Sequence, residues 1–286
     1  FDMNSDYNYA CWVERKERNV TLNAAPVEIG DVLVTQLYEK IESCVFTSAT
    51  LSTGGNFDYF KARLGLNMGP KPTEVILDSP FDYSLQTLLY IPQSMPDPSS
   101  HNFVNTMAHH VEEILNATKG RAFVLFTSYK NMDAVFNLLQ DRLEFPMLIQ
   151  GSKPKTALLE EFRVTDGAVL FATSSFWEGI DVKGESLSCV IIDRLPFAPP
   201  GDPIVFSRIE RMKKYGAEPF FSYQVPMAVI ALKQGMGRLI RTRSDRGALC
   251  LMDQRILTKN YGKIFLQSLH NSPISRNIKD IRVFFN

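Results

Sequence analysis

The sequence predicts an α/β fold built on an open, doubly wound parallel sheet. Two observations lead to this prediction. From about residue 85 onward, six short apolar runs alternate with amphipathic stretches. The runs are continuously apolar rather than alternating, as expected for strands that helices cover on both faces. Regular alternation of strand and helix is typical of a parallel sheet.

The six strands are predicted over residues 88–91, 122–126, 147–149, 168–172, 189–193 and 248–252. Two intervening segments keep an apolar helical face: Phe103, Met107, Val111, Ile114 and Leu115 in one, and Met132, Val135, Phe136, Leu139 and Leu143 in the other. Asp202-Pro203 predicts the start of a helix that ends near Tyr215, before Gly216. A further helix is predicted from Pro226 to about Arg241.

The first 80 residues follow a different pattern. They contain a strand-like stretch at 11–20, a helical stretch at 32–42 and a predicted strand at 44–47, and polar loops are predicted at 67–73 and 93–100. One helix and two strands do not bury a core, so we expect residues 1–72 to be the tail of a preceding domain and residues 73–286 to form the main one. Because the chain starts at Phe1 rather than Met, we expect it to be part of a longer protein.

Composition excludes several classes of protein. With 286 residues, 45% hydrophobic and 22% charged, the chain is not disordered, collagen-like or a coiled coil. Its longest apolar runs are about five residues, too short to span a membrane. Thirty-one basic residues balance 31 acidic ones, so a polyanion would need a local site. The cysteines, Cys11, Cys44, Cys189 and Cys250, form no C-x-x-C pair, which predicts reduced thiols in a cytoplasmic protein and no metal site.

Polar residues follow each predicted strand, where ligands of open parallel sheets bind. These segments are Thr127-Ser128-Tyr129, Gln150-Gly151, residues 173–181, residues 193–197 and Asp253-Gln254-Arg255. Hydroxyls and backbone amides suit phosphate oxygens, and Trp177 and Phe197 can stack on bases. The alternative is that the hydroxyls only cap the following helices.

The segment from Gln234 to Arg241, sequence QGMGRLIR, has the most distinctive local pattern. On a helix at about 100° per residue, Arg238 lies about 40° and Arg241 about 20° from Gln234, so all three share one face. Two arginines on one narrow stripe can bind a triphosphate. The alternative is a solvated basic face continued by Lys233, Arg243 and Arg246.

Other chemistry is missing from the sequence. There is no G-x-x-x-x-G-K-[ST] motif and no Asp-Glu dipeptide. The segment from His109 to Glu113 does not have the spacing of a zinc helix and is predicted to be an exposed polar helix face. No Ser–His–Asp set is apparent from the sequence.

These motifs resemble, in order, those of the second RecA-like motor domain of a superfamily 2 DNA helicase. The similarity is to the DinG/XPD-like (Rad3-type) group, and within it to bacterial DinG. Residues 47–51 (TSATL) resemble motif III, residues 121–129 motif IV, residues 171–181 motif V, and residues 234–241 motif VI. Residues 79–82 (SPFD) and 193–197 (DRLPF) also match that group. The resemblance covers nearly the whole chain.

The resemblance implies a RecA-like fold, with residues 73–286 as motor domain 2 and residues 1–72 as a remnant of motor domain 1. It also implies functional roles. Arg241 would be the arginine finger, and Gln234 and Arg238 would contact the γ-phosphate region. Glu178, Gly179 and Asp181 would complete the ATP-binding set. The DNA-binding set would be Thr127, Ser128, Tyr129, Thr173, Ser174, Trp177 and Phe197, and Ser48 and Thr50 would couple the domains.

Such a parent would unwind DNA 5′ to 3′ with ATP and Mg²⁺ in DNA repair and replication, and many members of the group carry an iron–sulfur cluster. Motifs I, Ia and II and the cluster cysteines are missing here, so we expect this chain alone to lack ATPase activity. Expected partners are single-stranded or forked DNA, RNA–DNA hybrids and the N-terminal motor domain; we expect a monomer without membrane association. Two alternatives are a non-catalytic nucleic-acid-binding or partner-docking module and half of a nucleotide-sugar transferase. The Ser-Ala-Thr triplet and the Gln/Arg/Arg stripe argue against the second.

Overall fold

The computed structural model describes residues 8–16, 19–173, 176, 186–269 and 271–286. The chain forms two compact units. The first consists of Phe1–Leu77 and Phe197–Ile230, and the second of Asp78–Pro196 and Ala231–Asn286. The second unit therefore begins five residues after the predicted start at residue 73, and it is interrupted by a segment that packs in the first unit. Whether the first unit belongs to a preceding motor domain stays a prediction.

The described residues form these elements in chain order. The strands are β1 Tyr9–Lys16, β2 Asn19–Pro26, β3 Thr87–Tyr90, β4 Ala122–Phe126, β5 Met147–Ile149, β6 Val169–Thr173, β7 Cys189–Ile192, β8 Gly247–Leu251 and β9 Ile274–Ser275. The α-helices are α1 Gly30–Gln36, α2 Asp58–Leu64, α3 Tyr83–Gln86, α4 Phe103–Thr118, α5 Tyr129–Leu139, α6 Lys155–Val164, α7 Pro203–Lys214, α8 Val225–Met236, α9 Arg255–Thr258, α10 Gly262–Ser268 and α11 Ile278–Phe285. A short 3₁₀ helix covers Tyr38–Lys40, and a π-helical turn covers Phe220–Gln224.

The second unit contains the predicted sheet. Its seven strands are all parallel, in the order β5-β6-β4-β7-β8-β3-β9. Each of the six predicted strands is present to within one residue, which confirms the α/β fold class. Every residue of β4 and β6 is buried, as continuous apolar runs require. The edge strand β9 was not predicted because it has only two residues, one of them Ser275.

Helices cover the sheet in the predicted places. All five predicted apolar residues of α4 are buried, and α4 packs beside α5 and α11. Helix α6 also packs on the sheet, since the ring of Phe123 on β4 lies 4.7 Å from that of Phe162 on α6. Gly120 lies just before β4 and has a φ of +70°, and a Cβ there would lie 2.0 Å from the carbonyl oxygen of Gly167. Only glycine fits this approach.

The first unit is built from the β1–β2 hairpin and surrounding helices. The strand-like stretch predicted at 11–20 is in fact parts of two antiparallel strands, with Val13 opposite Leu22. Helix α7 begins and ends as predicted, with the Asp202 carboxylate accepting from the backbone N–H groups of Ile204 and Val205. On α7, Arg208 is 2% exposed and pairs with Glu28.

Two predicted elements are wrong. Residues 44–47 do not form a strand: Val45 is 87% exposed, and no described strand pairs with the segment, so its backbone lacks a ladder. The helical stretch at 32–42 is shorter than predicted, because α1 ends at Gln36 and only a 3₁₀ turn follows.

Candidate functional site

The carboxyl ends of the central strands lie level at one edge of the sheet. Phe126 of β4 is opposite Thr173 of β6, and Ile192 of β7 is opposite Leu251 of β8. Leu125 is also opposite Ile192, so all four strands end within one residue of each other. The polar segments after these strands therefore meet, as the sequence predicts.

Gln150 joins two of the predicted DNA-binding residues. Its side-chain oxygen Oε1 accepts from the backbone N of Thr173 at 2.7 Å and from the Thr173 hydroxyl at 3.0 Å. Its Nε2 donates to the Tyr129 hydroxyl at 2.7 Å. Thr173 is buried and its hydroxyl donates to Gln150, so the Thr173–Gln150 pair holds the β5 and β6 loops together. Tyr129, by contrast, is 56% exposed.

Asp193 is the buried carboxylate of this edge. Its two oxygens accept from the backbone N of Thr127 at 2.9 Å and from the Thr127 hydroxyl at 3.1 Å. Arg194 Nε lies 3.8 Å from it. Burial raises the pKa of Asp193 from 3.8 to about 6, although the bonds from Thr127 and the charge of Arg194 oppose the rise. Thr127 is thereby fixed to β7.

The first turn of α5 combines a cap with unused donors. The Ser128 hydroxyl accepts from the backbone N of Asn131 at 3.3 Å, so the capping alternative holds for Ser128. The preceding N–H groups of the turn have no acceptor within the helix. The side-chain Nδ2 of Asn131 is buried and has no hydrogen-bond partner among the described residues. This turn can therefore bind an anion.

Asp253 fixes the loop after β7. It accepts from the backbone N of Leu195 at 2.9 Å and binds Arg255 bidentately, with the shortest contact at 2.6 Å. The hydrogen bonds with Asp253 raise the pKa of Arg255. Phe197, predicted to bind DNA, belongs to the first unit, where its ring stacks on Phe220 at 5.8 Å.

The helical stripe predicted for Gln234, Arg238 and Arg241 is wrong in its geometry. Helix α8 ends at Met236, and the chain continues through a turn in which Arg238 N donates to Gly235 O and Leu239 N to Met236 O. These i→i−3 bonds replace the helical ladder, because two glycines lower helix propensity at this point. A Cβ at Gly237 would meet only α8's own carbonyls, the nearer being Lys233 O at 3.3 Å. All three predicted residues are half-buried.

Asp245 organises the segment that carries Arg241. It accepts from the backbone N of Arg241 and of Thr242, each at 2.8 Å. Burial alone would raise the pKa of Asp245, but these bonds outweigh it and lower the pKa. The buried Gln86 amide donates to the carbonyls of Thr242 and Asp245, each at 2.9 Å. The alternative of a solvated basic face is weakened by Lys233, which is 9% exposed and whose pKa burial lowers.

The two residues predicted to couple the domains are not part of this edge. Ser48 and Thr50 lie in the first unit, with 3.3 Å between their hydroxyl oxygens, and Thr50 N donates to Ser48 Oγ at 3.2 Å. Ser174, Trp177, Glu178, Gly179 and Asp181 lie outside the described residues.

The cysteines do not fit an iron–sulfur cluster. Cys11 and Cys44 are exposed, whereas the buried thiols of Cys189 and Cys250 lie 3.9 Å apart, and burial raises the pKa of Cys250. Across residues 8–16, 19–173, 176, 186–269 and 271–286, no three His, Cys, Asp or Glu side chains are arranged to hold a metal. In the same ranges, each helix falls short of the length and apolarity that crossing a bilayer requires.

Several residues of the site were not predicted. Neither Gln86 nor Asn131 could be identified from the sequence, because a buried helical amide and an exposed one have similar local sequences. Asp245 stood out only as the one acid among five basic residues from Lys233 to Arg246. Its position three residues after Thr242 matches a turn cap and is the feature that would have identified it.

Comparisons with known proteins agree on one class, the helicase motor domain. Residues 111–272 match the model of the helicase C-terminal domain family. The chain is 42% identical over 276 residues to the ATP-dependent DNA helicase YoaA of Haemophilus influenzae, and 33% identical over 283 residues to the 3′-5′ exonuclease DinG of Bacillus subtilis. These matches cover 96% and 95% of this chain but 43% and 30% of the relatives, so the chain spans less than half of their length.

Solved structures show the same fold. An XPD helicase superposes with a TM-score of 0.65 at 20% identity, over 89% of this chain and 46% of that one. Xpd4 of S. tokodaii superposes with a TM-score of 0.59 at 16% identity, over 90% and 48%. The fold is thus that of a RecA-like helicase motor. The chain belongs to the helicase C-terminal domain family, as the C-terminal part of a DinG/XPD-like superfamily 2 helicase.

Proposed function

We propose that this chain is the second motor domain, with a remnant of the first, of an ATP-dependent DNA helicase that moves 5′ to 3′. The observation that carries the proposal is the level carboxyl edge of the sheet, where Thr127, Gln150, Asp193 and Asp253 form a fixed hydrogen-bonded frame. A frame of this kind holds loops at a constant spacing while the exposed groups between them bind and release a ligand.

The track for single-stranded DNA would run along this edge. The α5 turn supplies backbone N–H groups and the buried Asn131 amide for a phosphate, and Tyr129 offers an exposed ring for a base. The Thr127 and Thr173 hydroxyl hydrogens are committed to Asp193 and Gln150. Their contribution is therefore to position the loops. Ser128, Ser174, Trp177 and Phe197 are the further members of the proposed DNA-binding set.

Arg241 is the proposed arginine finger. Guanidinium groups match the charge and geometry of a triphosphate, and Gln234 and Arg238 precede Arg241 on the same segment. Asp245 and Gln86 hold the backbone there, so Arg241 starts from a fixed position. A bound ATP·Mg²⁺ supplies the phosphoanhydride whose hydrolysis drives movement, and Glu178, Gly179 and Asp181 complete the proposed contacts. An arginine finger contributes about 10³–10⁵ in rate.

The residues of this chain contact ATP from one side only. They include no phosphate-binding loop and no Asp-Glu pair, so the chain alone should not hydrolyse ATP. We propose that the intact helicase is a cytoplasmic monomer that acts on single-stranded or forked DNA, with RNA–DNA hybrids as further substrates.

The test compares two arginines of one loop in the intact helicase. Arg241→Ala should lower DNA-stimulated ATP hydrolysis by about 10³-fold or more and leave DNA affinity unchanged. Arg243→Ala, on an exposed neighbour, is the matched control and should keep the rate. Equal rates in both variants would instead favour a non-catalytic nucleic-acid-binding module, and ATP hydrolysis by the purified chain would contradict the proposal.

A further inference from the structure

A second polar site lies at the other end of the same carboxyl edge. A cavity of about 430 Å³ opens between the ends of β3 and β9 and helix α4. Its lining includes Tyr90, Gln93, Ser94, His110, Glu113 and Arg276. The loop of Gln93 is tied to the end of β8, because Gln254 Nε2 donates to the carbonyls of Gln93 at 2.5 Å and Met95 at 3.1 Å. One wall of the cavity is therefore held to the segment that follows β8, next to Asp253 of the frame.

Two buried side chains line this cavity, and one of them has an unused hydrogen-bonding atom. His110 is 8% exposed, although the segment from His109 to Glu113 was predicted to be an exposed face. Its Nε2 lies 3.3 Å from Ser94 Oγ, but its Nδ1 has no hydrogen-bond partner among the described residues. Tyr90, which also lines the cavity, is 2% exposed. Buried polar groups without partners are uncommon and call for an explanation.

The two charged groups of the cavity are also available. The nearest cationic atoms to the Glu113 carboxylate are His110 Nδ1 at 3.6 Å and His109 Nε2 at 3.7 Å, both beyond ordinary hydrogen-bond length. Arg276 makes one long contact, 3.5 Å to Gln254 Oε1, and no ion pair within the described part of the chain. Burial lowers the pKa of His110, which favours the neutral form of the imidazole beside Glu113.

These groups define the chemistry of a ligand. A carboxylate presents two adjacent acceptors, which match the neighbouring N1–H and N2–H groups of guanine; cytosine, adenine and thymine each offer a single such donor position. A phenol and an imidazole can each meet the remaining ring atoms, and a guanidinium suits the attached phosphate. The volume lies within the usual range for small-ligand pockets.

We propose that this cavity binds one guanine nucleotide of single-stranded DNA, with its base at Glu113, Tyr90 and His110 and its phosphate at Arg276. The proposal rests on the proposed function, since it places a base-reading pocket beside the phosphate track. It adds a preference for guanine at one position of the bound strand, which contacts to the DNA backbone alone do not give.

The test uses the full chain and three fluorescein-labelled strands of about 12 nucleotides: oligo(dT), oligo(dT) with one central guanine, and the same strand with inosine, which lacks the N2 amino group. Fluorescence anisotropy should show the guanine strand binding about 10-fold more tightly than the other two. Glu113→Gln should abolish this ratio, because an amide has one acceptor in place of two. Tyr90→Phe, which removes only the hydroxyl from the cavity lining, should reduce the ratio.

Glu112→Gln is the matched control, since Glu112 pairs with Arg142 and does not line the cavity; it should keep the ratio. Equal affinity for all three strands would overturn the pocket and leave the proposed DNA track standing. If none of the strands binds even to the intact helicase, the proposed function fails, and dGMP alone then decides about the pocket. A shift of the His110 ¹⁵N resonances with dGMP but not with deoxyribose 5-phosphate supports the pocket, and no shift overturns it.

Discussion

Thr127→Val tests whether the frame at the sheet edge depends on a buried charge. Valine keeps the shape of threonine and removes the hydroxyl that donates to Asp193 at 3.1 Å. Hydrogen bonds to charged groups contribute about 1.5–3 kcal/mol. At pH 8, where Asp193 is ionised, the substitution should lower the free energy of unfolding by about 2 kcal/mol. At about 1.4 kcal/mol per unit, it should raise the pKa of Asp193 by roughly one to two units above its value of about 6.

The sign of the pH dependence follows from the direction of this shift. The folded protein binds the Asp193 proton more tightly than the unfolded chain, so the contribution of this group is fully present below its ordinary pKa of 3.8 and is lost as the pH rises through about 6. Thr127→Val should therefore cost less at pH 5 than at pH 8. Urea unfolding at both pH values, with a ¹³C titration of the Asp193 carboxyl, measures both quantities.

Thr118→Val is the matched control for this experiment. Thr118 is fully buried, whereas Thr127 is half-buried, and the Thr118 hydroxyl donates to the neutral carbonyl of Gly120 at 3.0 Å. Its loss should cost about 1 kcal/mol at both pH values. The reasoning is refuted if Thr127→Val costs the same at pH 5 and pH 8, or if Asp193 titrates near 4 in the unsubstituted chain.

Two further substitutions test the segment that carries Arg241 and the close backbone contact before β4. Asp245→Ala removes the acceptor for Arg241 N and Thr242 N. In the intact helicase it should lower kcat for DNA-stimulated ATP hydrolysis and leave the DNA affinity unchanged. A rate equal to that of the unsubstituted enzyme would contradict the positioning role of Asp245. Gly120→Ala places a Cβ 2.0 Å from Gly167 O. Because such a clash forces the backbone to move, the substitution should lower the free energy of unfolding by several kcal/mol. A thermal midpoint within about 2 °C of the original would show that the backbones at Gly120 and Gly167 are not so close.

The sheet was predictable because its residues are selected by one property, burial on both faces. Ala122–Phe126 and Cys189–Ile192 are apolar at every position, and both are fully buried strands. The same rule failed at residues 44–47, which are apolar but find no pairing strand among the described elements. Strand formation depends on a neighbour, and a local sequence pattern contains no information about one.

The chemistry at the strand ends was predictable in place but not in detail. Topology alone brings Thr127, Thr173 and Asp193 to one edge, and the structure confirms this. Which hydroxyl meets which acceptor depends on side-chain positions of a few tenths of an ångström. The end of α8 shows the same limit, because propensity marks Gly235 and Gly237 as weak points without deciding where the helix stops.

His110 shows why the second pocket was not apparent from the sequence. It lies in the segment HHVEE, in which four of five residues are polar, and such a composition suggests an exposed face. In the structure the helical turn directs His109 outward, whereas His110 is buried with Val111 and Ile114. The angular position of a residue on α4 could be predicted only relative to the strands that α4 covers.

The central claim is that single-stranded DNA lies along the carboxyl edge of the sheet. The most direct test is to map the residues that contact DNA. A strand carrying 4-thiothymidine, photocrosslinked to the intact helicase and mapped by mass spectrometry, should label residues 127–129 and 150–151, at the carboxyl ends of β4 and β5. Crosslinks confined to the opposite edge, at residues 118–121 or 246–247, would contradict the account.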